Sequence, residues 1–193
     1  MQRLYNKYVN MPLFQNKYRI ETIRLQNWNY GWNGKYFVTI VAKNREHYFG
    51  KIVDGEMYFS EIGENANKCW HEIPEHFPFV VLDEFCVMPN HIHGIIVIDN
   101  KNGNTCRDVA CNVSTDMAQS KKMSIISPKP GSLSTIIRSY KSAITKYANE
   151  NHYNFGWQSR FYDHIIRNEK SLNRIRNYIR NNSQNWENDK FNS

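Results

Sequence analysis

Runs of apolar residues divide the first hundred positions into extended segments. Lys35-Tyr36-Phe37-Val38-Thr39-Ile40-Val41-Ala42 is rich in β-branched and aromatic residues and predicts a strand. Tyr48–Val53 and Glu56–Phe59 bracket Asp54-Gly55, a dipeptide that accepts the positive φ angles of a tight hairpin. Behind Ser60, an N-cap residue, Ile62, Ala66, Cys69 and Trp70 recur at helical spacing until Pro74. Phe79–Val87 and the segment from His91 through Ile95-Ile96-Val97-Ile98 then predict two strands flanking a Pro89-Asn90 turn. Further on, Ser132 caps a helix with Leu133, Ile136, Ile137, Ile144 and Tyr147 on its apolar side, and Arg138, Lys141 and Lys146 outside that stripe. An extended piece, Gly156–Tyr162, leads through Asp163–Arg167 to Asn168, which opens a last helix carrying Leu172, Ile175 and Ile179 to about Asn182. This order predicts an α+β fold, an antiparallel sheet with helices packed on one face.

Two stretches differ from this pattern. Residues 1–34 are polar and aromatic without a sustained period and are expected to form an N-terminal arm, with Tyr18–Leu25 extended along the domain. Residues 99–131 are dominated by Asn, Ser, Lys and Gly and end in Ser127-Pro128-Lys129-Pro130-Gly131, the composition of a flexible insertion. The main domain then spans 35–185, and 186–193 forms a C-terminal tail. With 193 residues, 40% hydrophobic and 14% aromatic, the chain supports one sizeable core. Cys69, Cys86, Cys106 and Cys111 have neither C-x-x-C nor zinc-finger spacing, so a disulfide framework or structural zinc is not expected, and a reducing cytosol is. The N-terminus lacks a signal-peptide run, and no stretch approaches the ~18 apolar residues that span a bilayer, so the expectation is a soluble protein without a membrane partner.

Charge adds a direction to this picture. The net charge is +7, yet Ser120–Arg180 alone holds twelve Lys/Arg against three Asp/Glu, so the remainder is slightly acidic. Within that stretch Tyr140, Tyr147, Tyr153, Phe155, Trp157, Phe161, Tyr162 and Tyr178 are interleaved with the cations. Such a pattern suits phosphate neutralisation combined with base stacking, and it makes Arg138, Lys141, Lys146, Arg160, Arg167 and Arg174 candidate DNA-binding residues. A solvated basic face without a partner is the alternative.

The candidate chemistry lies in Met88-Pro89-Asn90-His91-Ile92-His93-Gly94. In a strand, i and i+2 side chains share a face, so His91 and His93 project together while Ile92 turns to the core. Two imidazoles on one strand can hold a divalent metal and leave positions for a third ligand and a substrate oxygen; ordinary hydrogen bonds at a strand end are the alternative. A cupin-like metal site would need a Glu a few residues on, where Val97 and Ile98 stand. On the last helix Arg174, Tyr178 and Asn182 are spaced by four, which places Tyr178 at the rim of the buried face with a carboxamide one turn away.

Four blocks carry a resemblance: Tyr36–Ile40 with Lys43-Asn44-Arg45; Met88–Gly94; Trp157-Gln158 through Phe161–Arg167; and Tyr178-Ile179-Arg180-Asn181-Asn182. In this order they resemble the single-tyrosine HUH transposases, and within them the REP-associated tyrosine transposases. The resemblance implies a ferredoxin-like HUH nuclease fold, Tyr178 as nucleophile, and His91, His93 and Asn182 as ligands of a divalent metal, Mg²⁺ or Mn²⁺. It further implies transesterification of single-stranded DNA through a 5′-phosphotyrosine at palindromic repeat hairpins, without a nucleotide cofactor. The implied partner is single-stranded or hairpin DNA, the implied state a monomer or homodimer, and the implied location the bacterial cytoplasm with the nucleoid. The family usually continues with Pro after this Asn, whereas Ser183 follows here, which loosens the helix stop without touching a ligand. Because a tyrosine ordinarily titrates near ~10, the metal, with Arg174 or another basic neighbour, is expected to favour the phenolate. No general base stands out. A domesticated DNA-binding protein without catalysis is the competing reading.

Overall fold

Three of the apolar runs and one later segment pair into one antiparallel sheet in a computed structural model that describes residues 28–100 and 130–192. The expected arm at Tyr18–Leu25, residues 101–129 of the expected insertion, and Cys106 and Cys111 lie outside the described residues. The strands are β1 (Gly34–Val41), β4 (Val80–Val87), β5 (His91–Ile98) and β6 (Tyr162–Ile166), in the order β4-β5-β1-β6. β6 extends the sheet from a segment whose mixed polarity gives no clear period. A separate hairpin, β2 (Gly50–Val53) and β3 (Glu56–Phe59), turns at Asp54 and Gly55 with φ of 51° and 79°, as the dipeptide predicts. The helices are α1 (Glu61–His71), a short α2 (Ile73–His76), α3 (Leu133–Glu150) and α4 (Glu169–Arg180). Ser60 Oγ accepts the Gly63 N–H at 3.1 Å, and Asn168 Oδ1 accepts the Ser171 N–H at 2.8 Å, so α1 and α4 both start on side-chain caps.

The α+β class and antiparallel sheet agree with the sequence, but the helices divide between the two faces. Ile92, Ile96 and Ile98 of β5, with Tyr36, Val38 and Ile40 of β1, pack beneath α1 and α3 against Trp70, Leu133, Ile136, Ile137 and Ile144. On the opposite face Ile95 and Ile166 pack against Leu172, Ile175 and Ile179 of α4. The expectation that all helices share one face is therefore corrected for α4. The cause is visible in β5: its unbroken Ile-Ile-Val-Ile run is what a strand buried on both sides requires.

Two features fix the site-bearing elements. α4 is tied to β4 by Arg176, whose Nε and Nη2 donate to Asp83 Oδ1 and Oδ2 at 2.8 and 2.6 Å, and by an Arg180–Glu84 pair. The Arg176 hydrogen bonds hold the Asp83 carboxyl below the usual carboxylate range. Trp70 is fully buried, stacks on Phe85, and presses so closely on β5 that a Cβ at Gly94 would lie 2.2 Å from Trp70 Cζ2. Only glycine fits there.

Two of the aromatics interleaved with the basic residues are tied into this core. Tyr140 is 3% exposed and donates its hydroxyl to Ala66 O, and half-buried Trp157 donates Nε1–H to Lys141 O.

Candidate active site

Strand register brings the two histidines to one point. Val41 pairs with His91 and Thr39 with His93, so both rings project toward the α4 face between β1 and β4. Both are almost fully buried. Asn90, also fully buried, donates Nδ2–H to the carbonyls of Arg45 (3.1 Å) and Phe191 (2.8 Å). Its Oδ1 must then be the atom that meets His91 Nδ1 at 2.9 Å. His91 Nδ1 consequently carries the hydrogen, and Nε2 offers a bare lone pair. His93 Nδ1 sits 2.9 Å from Thr39 Oγ1, and its Nε2 lies 3.0 Å from His91 Nε2.

This arrangement fits a divalent ion. Two ligands each ~2.1 Å from one ion and at a right angle stand about 3 Å apart, which is the spacing of the two Nε2 atoms. Burial lowers the His91 pKa to about 3, with the Lys190 charge contributing, and burial followed by the His91 charge holds His93 well below its ordinary value. Both rings are neutral near pH 7, the form that ligates metal. Asn182 is buried one turn after Tyr178, and its Oδ1, a hard oxygen donor, has no hydrogen-bond partner among the described residues. A carboxylate oxygen of Asp189 lies within 4.8 Å of a ring nitrogen of each histidine, making His91, His93 and Asp189 a compact donor cluster.

Asp189 is the residue that sequence reasoning missed, along with the segment that carries it. Residues 186–192, expected as a tail, dock over the histidines. Trp186 is buried, the Phe191 ring lies 4.5 Å from His91, Phe191 O accepts from Asn90, and Lys190 O accepts from Arg45 Nη1. Trp186, an isolated tryptophan in a polar stretch, was the available signal for docking; nothing in the sequence marks Asp189 as a donor.

Tyr178 completes the cluster from α4. Its hydroxyl lies within hydrogen-bond distance of His93 Nε2, at 3.1 Å, and Phe37 packs edge-on to its ring at 6.3 Å. Burial, and then the Asp189 charge, push the phenol above its ordinary value. Arg174, on the same helix and exposed, does not by itself reverse this, which leaves that part of the expected phenolate stabilisation to the metal. Arg174, Tyr178, Asn182 and Asp189 line one open cleft of about 320 Å³. Cys86, opposite His93 in the sheet, is no competing nucleophile, because burial pushes its thiol up to about 12.

The six candidate DNA-binding residues do not form one patch. Arg138, Lys141, Lys146 and Arg160 line a cleft along α3, whereas Arg167 and Arg174 line a second cleft at the start of α4. Lys141 is committed to structure: its Nζ donates to the carbonyls of Gln158 and Arg160 at 3.0 and 2.7 Å, and burial lowers its pKa to about 8. Lys146 pairs loosely with Glu150 at 3.8 Å. No described helix is long and apolar enough to cross a membrane.

No protein-family model matches the chain. An uncharacterised Haemophilus influenzae protein is 39% identical over 175 residues, covering 88% of this chain and 91% of that protein. Among solved structures, a REP-associated tyrosine transposase bound to a REP hairpin superposes with a TM-score of 0.54 at 16% identity, covering 86% of this chain and 74% of the other. The chain therefore belongs to one family with the Haemophilus influenzae protein, and its fold is that of a REP-associated tyrosine transposase.

Proposed function

We propose that the protein is a metal-dependent tyrosine HUH transposase, which cleaves and rejoins single-stranded DNA through a 5′-phosphotyrosine on Tyr178. One observation carries this reading: the Tyr178 hydroxyl, 85 positions from His93 in sequence, is 3.1 Å from the same Nε2 that converges with His91 Nε2. His91, His93 and Asn182, joined by Asp189, would hold Mg²⁺ or Mn²⁺. When bound, such an ion polarises a non-bridging phosphate oxygen and offsets the burial and Asp189 charge that oppose the phenolate.

The chain's own groups do the rest. Tyr178 Oη attacks phosphorus, the bond to the 3′ oxygen breaks, and that oxygen leaves as a 3′-OH after taking a proton. The phosphotyrosine retains roughly the energy of the original ester, so a later 3′-OH can reverse the step and join strands. Asn90 and Thr39 orient the imidazoles, and the Phe191 ring keeps water off His91. His93 Nε2 faces both the phenol and the donor cluster, so it can serve the phenol proton or a cation but not both. The hairpin carried by the structurally similar transposase points to repeat hairpins as the substrate, and to a place with the nucleoid in a bacterial cytoplasm.

The test is covalent capture. Protein, Mn²⁺ and labelled single-stranded hairpin DNA are run on denaturing gels, and the modified peptide is mapped by mass spectrometry. Wild type should retain the label and Tyr178→Phe should lose it, while Phe variants of Tyr140, Tyr147, Tyr153 and Tyr162 keep it. An undiminished adduct in Tyr178→Phe overturns the mechanism, and tight binding with no adduct in wild type leaves the binding-only reading.

A further inference from the structure

The cations of α4 fall into two sets. Arg176 and Arg180 are occupied by Asp83 and Glu84 of β4. Lys170 and Arg174 have no carboxylate partner among the described residues and line the open cleft at the start of the helix. Lys170, Arg174 and Tyr178 are four apart, so they form one stripe advancing ~6 Å per step, comparable to the spacing of phosphates along an extended strand. Arg174 lines both this cleft and the cleft of Tyr178, so the two adjoin at its side chain.

The same side of the sheet carries an exposed ring. Thr39 pairs with His93 on one side and Tyr162 on the other, so Tyr162 shares the face of the histidines. It is 49% exposed and packs edge-on to Phe37, which in turn packs edge-on to Tyr178. Cations at helical spacing beside an open aromatic suit a strand whose phosphates and unpaired bases are both available; a duplex keeps its bases stacked inside.

Resting on the proposed function, we infer that this surface is the track of the reacting single strand: Lys170 and Arg174 take phosphates next to the one attacked by Tyr178, and Tyr162 stacks a base. The cleft along α3, with Arg138 and Lys146, lies on the other face of the sheet and is not part of this track.

The experiment measures anisotropy of a short labelled oligothymidylate across a salt series, in a Tyr178→Phe background so that nothing attaches covalently. Lys170→Gln with Arg174→Gln should reduce the log–log salt slope by about 1.4, at ~0.7 for each phosphate no longer neutralised. Tyr162→Ala should weaken binding roughly tenfold at every salt concentration and leave the slope unchanged, as loss of one stacked base requires. Arg138→Gln with Lys146→Gln should alter neither. These side chains are on the surface, and unchanged thermal melts confirm that the variants fold. An unchanged slope in the Lys170/Arg174 pair, or an equal reduction in the Arg138/Lys146 pair, overturns the track while the transposase reading stands on its adduct. If the Tyr178→Phe protein binds no oligonucleotide at any salt, the DNA reading itself falls and the track with it.

Discussion

Asn90→Ala removes a side chain that links His91 to the C-terminal segment. It deletes three hydrogen bonds, to Arg45 O, Phe191 O and His91 Nδ1–H, at a position with no exposed surface. At ~0.5–1.5 kcal/mol each, with buried groups left unpaired where water cannot replace the partner, the loss should be about 3 kcal/mol. In a domain of this size that lowers Tm by roughly 6–12 °C. The same deletion frees His91 to adopt the other tautomer or to rotate, so Mn²⁺ affinity should fall ~10–100-fold, the usual effect of losing a group that orients a ligand. Asn90→Asp separates the two roles. It keeps an oxygen facing His91 Nδ1–H but turns another against two carbonyl oxygens, so stability should drop while Mn²⁺ affinity stays closer to wild type. Thermal unfolding and titration calorimetry with Mn²⁺ measure both quantities. Equal losses of affinity in the Ala and Asp variants would refute the argument that Asn90 sets the His91 tautomer.

Gly94→Ala should destabilise by ~1–3 kcal/mol or more through overpacking against Trp70, and a smaller residue at Trp70 should recover part of that, so denaturant unfolding of the double variant should be less than additive; strict additivity would show that the clash is absorbed elsewhere. Asp189→Asn should weaken Mn²⁺ binding about tenfold and, by removing the charge that helps to raise the Tyr178 phenol, shift that titration downward in an ultraviolet pH titration; an unmoved titration would place Asp189 outside the site. For pH, burial lowers the His91 pKa to about 3 in the folded protein, so between about 3 and the unfolded value of ~6.5 the unfolded chain binds the extra proton. Stability in metal-free buffer should thus fall as pH drops through that window, by up to ~1.4 kcal/mol per unit for this histidine, and a flat profile in urea unfolding would contradict its burial.

Much of the fold is legible because its signals are local. The Asp54-Gly55 turn, the Ser60 and Asn168 caps and the apolar runs each follow from a few neighbouring residues, and the i, i+2 and i, i+4 spacings place His91 with His93 and Tyr178 with Asn182. What escaped is non-local. The unbroken apolar run of β5 announces burial on both faces but not which helix covers each, so the side on which α4 packs is decided only by tertiary assembly. Lys141 counts as one more cation until two backbone carbonyls are folded onto its ammonium. Asp189 sits in a polar stretch, and its proximity to the histidines depends on Trp186 and Phe191 finding a surface built from residues a hundred positions earlier.

The docked C-terminal segment also sets an order of events during synthesis. β1, β4 and β5 leave the ribosome first, and their pairing already brings His91 and His93 together. Tyr178 follows 85 residues after His93, and Asp189 and Phe191 later still. A nascent chain therefore has its imidazole pair long before it has the Tyr178 phenol, the Asp189 carboxylate or the carbonyl that holds Asn90. On the proposed mechanism, a chain able to attack DNA comes into being only when these last residues have been made and have folded back over the histidines, and a ribosome stalled within α4 should hold a fragment that forms no adduct.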